Sequence, residues 1–100
     1  MGMDLSGAGG YFRWTGSGWG KVLELASNHG WQPIGTGPPK GILKANWPGG
    51  YFGNDNQLVY ARDAEGLADA LEKHLVTAIA DEVELREFIE FCRAGSFRIQ

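Results

Sequence analysis

WGKVLELASNHGW, residues 19–31, reads as an amphipathic helix with both ends marked. Trp19, Val22, Leu23 and Ala26 fall at i, i+3, i+4 and i+7, one stripe of a 3.6-residue period. Ser17 is placed to cap the start. Gly30 stands where a left-handed residue closes a helix, Trp31 follows it, and Pro33 blocks continuation. A helix of this kind must bury its stripe against something, so the rest of the chain has to supply a facing layer.

Working outward, two compositional halves emerge. Fourteen of the sixteen glycines lie at or before Gly53 and all four prolines at or before Pro48. The first half therefore reads as turns and short strands around one helix, the second as helical. Residues 1–10 read as a flexible glycine-rich lead-in. Tyr11 to Trp14 form a short aromatic strand bounded by glycines. Gln57 to Tyr60 are a further candidate strand.

Asp63 reads as an N-cap, followed by the stripe Ala64, Leu67, Ala68, Leu71 and Leu75. Asp81 and Glu84 have capping-box spacing ahead of Leu85, Phe88, Ile89 and Cys92. That stripe ends at Gly95, with Arg93 in the last turn. No glycine or proline separates Leu67 from Ala94, but an unbroken helix of about 30 residues is rare in a small domain, so a break near 77–81 is expected. Phe97 and Ile99 alternate with polar neighbours as a terminal strand, with Tyr11 to Trp14 its expected partner.

The expectation is one small α+β domain spanning residues 1–100. About three helices pack on a small, mainly antiparallel sheet that includes the C-terminal strand. The layout resembles, in style, that of many small bacterial domains, without residue-level correspondence.

Composition excludes several function classes. The chain of 100 residues carries a net charge of −3, against the basic face of a nucleic-acid binder. The charge is uneven: residues 63–90 hold nine carboxylates and two bases, a net of −7. One cysteine, Cys92, makes no internal disulfide. The first residues lack a basic and apolar leader, and no apolar run nears the about 18 residues of a membrane span. A cytoplasmic protein without membrane partners is expected.

Chemistry-bearing motifs fail in detail. Gly35 to Gly41 loosely resembles a phosphate loop, but Pro38 and Pro39 delete two N–H donors and Ile42 replaces the hydroxyl. His29, His74 and Cys92 lack the paired spacing of a metal site. The serines lack the flanks of an activated nucleophile. No catalytic residue, metal or cofactor is assigned, and the chain is not expected to be an enzyme.

What remains is a surplus of aromatics and acids. Trp47, Tyr51, Asn54 and Asn56 lie in turns between glycines, where displayed rings and amides would suit recognition. Glu84 and Glu87 fall opposite the apolar stripe of their helix. The reading is a protein–protein interaction module, of the kind an immunity or antitoxin-like inhibitor would be, binding through the acidic helices or the aromatic turn. The alternative is a sugar- or nucleobase-binding domain built on the turn from Trp47 to Gln57. A homodimer is compatible with both, since a domain this small gains stability by covering an apolar face with a copy of itself.

Overall fold

The computed structural model describes residues 2–78 and 82–100. Along the chain run β1 (Gly2–Gly7), β2 (Gly10–Thr15), α1 (Gly16–Asn28), β3 (Gln57–Val59), α2 (Ala61–Thr77), α3 (Val83–Arg93) and β4 (Phe97–Ile99), with a 3-10 turn at Lys44–Asn46. The four strands form one antiparallel sheet of order β2-β1-β4-β3, with the three helices packed together and on one face. The expected α+β architecture, with the C-terminal strand inside the sheet, is therefore observed.

The expected lead-in is instead a strand at the heart of this sheet. Met3 and Leu5 are buried while Asp4 and Ser6 are only half so, the period-two signature of a strand with one face inward. β1 runs through a two-residue turn at Ala8 and Gly9 into β2, and on its other side pairs with β4. Tyr11 to Trp14 thus pair with β1 and not with the C-terminal strand, because β1 lies between them.

α1 buries Trp19, Val22, Leu23 and Ala26, the stripe read from its periodicity. Its cap is Thr15 and not Ser17. Thr15 still has the extended backbone of β2, and its Oγ1 accepts from the Gly18 N–H at 2.9 Å. At the other end Gly30 has φ +94, the Trp31 N–H donates to Ala26 O at 3.0 Å and the Gly30 N–H to Ser27 O at 3.2 Å. These are the two bonds of a Schellman closure.

α2 and α3 are separate helices, as the expected break requires. Asp81, the expected cap of α3, lies outside the described residues. α2 begins at Ala61, so Asp63 sits inside its first turn and caps nothing. Arg93 clamps the two helices by bonding Asp69 at 3.1 Å and Glu72 at 2.8 Å. Between α1 and α2, Gly66 admits the Trp31 indole, where a Cβ would stand 3.2 Å from Trp31 Cδ1. The core centres on Phe88, whose ring lies 5.3 Å from Phe12, 5.4 Å from Trp14 and 6.0 Å from Trp19.

Candidate functional site

The long connection from Trp31 to Asn56 carries little regular structure, so its backbone needs other partners. A buried polar knot supplies them. Asp63, 2% exposed, accepts from the Ile34 N–H at 3.1 Å and from the Tyr51 hydroxyl at 2.5 Å. Tyr51 Oη accepts in turn from the Gly35 N–H at 3.2 Å. Two indoles finish the fastening: Trp19 Nε1 donates to Tyr51 O at 2.7 Å and Trp31 Nε1 to Asp63 O at 3.1 Å. Gln57, fully buried, donates from Nε2 to Gly53 O at 2.6 Å. Burial, reinforced by the Asp63 carboxylate, raises the Tyr51 pKa and keeps its hydroxyl protonated.

This knot is where the aromatic turn has gone. Tyr51 is buried rather than displayed, its ring 5.3 Å from that of Trp31. Trp47 is half-buried, and its Nε1 donates to Thr36 O and Oγ1, both at 3.1 Å. Asn54 is exposed, but its Nδ2 donates to Gly2 O at 3.0 Å. Asn56 takes φ +65 and bonds through its backbone to Ile99 and Arg98. An open groove of about 530 Å³ on these loops is lined by Trp47 with Pro39, Lys40, Ile42 and Asp55, and not by Tyr51, Asn54 or Asn56. The four residues do not converge on one concavity.

Glu84 and Glu87 are both exposed on α3. Glu84 lines a groove of about 460 Å³ between α1 and the start of α3. Its apolar walls are Trp14, Val22, Leu25, Val83 and Leu85, and its charged lips are Lys21 on one side and Glu82 with Glu84 on the other. Val83 is 57% exposed. Trp14 Nε1 is buried and finds no hydrogen-bond partner among the described residues. Glu82 is braced by His74 Nε2 at 2.6 Å, which ties the end of α2 to the start of α3. Leu25 and Val83 went unremarked in the sequence because they lie beside the main stripes. Apolar residues flanking a complete stripe were the available signal.

A smaller polar cleft of about 230 Å³ lies where α1 ends beside α2, lined by His29, Trp31, Arg62, Asp69 and Lys73 among others. Asp69 there is already engaged by Arg93. Cys92 is 1% exposed, and burial raises its thiol pKa, so it is not poised as a nucleophile. Among the described residues no cluster of three metal-ligating side chains occurs, and no helix is long and apolar enough to cross a membrane.

No family model, curated protein or solved structure matches the chain.

Proposed function

We propose that this chain is a protein-interaction module that receives a basic, amphipathic segment of a partner in the groove between α1 and α3. The observation that carries this reading is the groove itself: an open apolar trough of about 460 Å³ beside Glu82 and Glu84. Apolar walls supply binding free energy by removing surface from water, and acidic lips favour a basic occupant. Glu87 and Glu90 extend the negative face along α3, which would speed encounter with a cationic partner and make it salt-dependent. An inhibitor that covers a basic enzyme surface, as an immunity or antitoxin-like protein does, would use a face of this kind. The ligand-binding alternative lacks comparable support, because Tyr51 is committed to Asp63 and Trp47 to Thr36.

Titration of the ¹⁵N-labelled protein with basic amphipathic helical peptides, and with acidic peptides of equal hydrophobicity, tests this. Amide shifts confined to Val22, Leu25, Val83 and Leu85, with basic peptides only, are expected. Glu84→Lys with Glu87→Lys should weaken binding about tenfold or more, the scale of lost close charge pairing. Shifts elsewhere, or equal binding of the acidic peptides, would overturn the assignment.

A further inference from the structure

The two edges of the sheet are not alike. At β3 the outer edge is taken: the Gly37 N–H donates to Leu58 O at 2.7 Å and the Leu58 N–H to Gly37 O at 3.1 Å. At β2 no strand lies outside it among the described residues. The register says which groups this leaves open. Toward β4, β1 bonds through Asp4 and Ala8 (the Gln100 N–H to Asp4 O at 2.7 Å, the Ala8 N–H to Ser96 O at 3.1 Å). In an antiparallel sheet alternate residues bond to alternate sides. Met3, Leu5 and Gly7 therefore bond toward β2, where they oppose Trp14, Phe12 and Gly10. The backbone N–H and C=O groups of Tyr11 and Arg13 point to the free edge.

We infer that β2 pairs antiparallel with β2 of a second copy of this chain, about a two-fold axis at Phe12, joining two sheets into one of eight strands. Only registers that oppose outward-bonding residues make a ladder. With the axis at Arg13, two guanidiniums would stand opposite each other. With it at Tyr11, Arg13 would face the glycine turn. With it at Phe12, Tyr11 of each copy opposes Arg13 of the other in a hydrogen-bonded pair, and the two pairs exchange four main-chain bonds.

The side chains fit that register. Tyr11 and Arg13 project on the same face as Asp4, to which both bond within one chain. Across the axis, each Arg13 lies beside the other copy's Tyr11 ring, a cation placed against a π face. On the helix face the two half-buried Phe12 rings meet at the axis. Each Trp14 faces the other copy's Gly10, which has no side chain to obstruct it. Tyr11 is 60% exposed in the single chain, and pairing would cover it. An uncovered six-residue edge with these aromatics would otherwise template indiscriminate association. Of the groove between α1 and α3 only Trp14 takes part in this pairing, and the two readings are tested by different measurements, peptide binding for one and self-association for the other.

Sedimentation and light scattering of the purified protein across about 10–300 μM should show a monomer–dimer equilibrium, since association is driven by concentration. Tyr11→Pro removes one outward N–H and no bond to β1, so it should weaken dimerisation about tenfold or more at unchanged circular dichroism. Should that variant fail to fold, amide exchange in the wild type decides: Tyr11 and Arg13 should exchange slowly in the dimer and fast on dilution, while Phe12 and Trp14 stay protected in both. A monomer throughout, a dimer indifferent to Tyr11→Pro, or Tyr11 and Arg13 amides that exchange fast in the dimer would each overturn the inference.

Discussion

Asp63 is the residue on which the long connection depends. An aspartate ahead of a helical stripe is by local statistics a cap, but the cap position falls to Tyr60 and Asp63 lies three residues further in. There its carboxylate still lies near the positive end of the helix dipole, but its bonds go outward to Ile34 and Tyr51. Asp63→Ala strands a part-buried N–H and a buried hydroxyl, and should cost about 2–3 kcal/mol. Tyr51→Phe removes one bond to each of two partners and should cost about 1–2 kcal/mol. Urea unfolding of both singles and the double variant should give a double mutant less destabilised than their sum, since the two remove one shared bond. Strict additivity would mean the pair does not interact.

Its partner Tyr51 sets an alkaline limit. Tyr51 has a folded pKa raised above its ordinary value, by burial first and by Asp63 second. The unfolded chain then releases this proton at about pH 10 while the folded chain keeps it. The stabilisation is fully present below pH 10 and is lost as pH rises beyond it. The Cys92 thiol, raised by burial, adds loss of the same sign from about pH 8.5 upward. Urea midpoints should fall between pH 9 and 11, and fall less in Tyr51→Phe. An equal fall in both proteins would remove Tyr51 from the explanation.

At the scale of elements, what was legible is what periodicity and capping encode. The stripes of α1 and α3 are buried as read and that of α2 from Ala64 to Leu71, with Leu75 only half-buried, and Gly30 and Gly95 have the positive φ that their closing positions require. The cap at the start of α1 was missed because Thr15 and Ser17 are chemically equivalent, and the choice depends on where β2 releases the chain. At Gly30 a Cβ meets nothing within 4 Å, so any cost of a side chain there is conformational. Gly30→Ala should therefore destabilise by about 1 kcal/mol and Gly30→Asn by less, because Asn tolerates the left-handed region. Thermal midpoints of the two variants check this, and equal losses would implicate contacts instead. Thr15→Ala leaves the Gly18 N–H without its cap and should also cost about 1 kcal/mol.

On the scale of the whole molecule, the sheet is closed by residues from opposite ends of the chain: Leu5 stands opposite Ile99, and Gly7 opposite Phe97. This is what the sequence concealed. Gly2, Gly7, Gly9 and Gly10 make the first ten residues read as a tether, and two alternating apolar residues, Met3 and Leu5, are too short a pattern to outweigh them. The glycines serve the closure itself, since a Cβ on Gly7 would stand 2.3 Å from Ser96 O. The candidate groove was half legible for a related reason. Glu84 follows from helical period, whereas Trp14 reaches the groove only through the placement of β2 beside α1 and α3. A strand between β2 and β4 cannot be spared. Without residues 2–7 the sheet loses two of its three ladders, and the core loses Met3 and Leu5, each worth roughly 2–5 kcal/mol on large-to-small substitution. A domain of this size has only about 5–15 kcal/mol in total. The chain lacking residues 2–7 should therefore show no cooperative thermal transition, while Leu5→Ala alone should keep one, lowered by about 15 °C or more for a loss near 3 kcal/mol. A cooperative transition in the shortened chain would mean that β4 can pair directly with β2, and that β1 is an addition to the fold and not its centre.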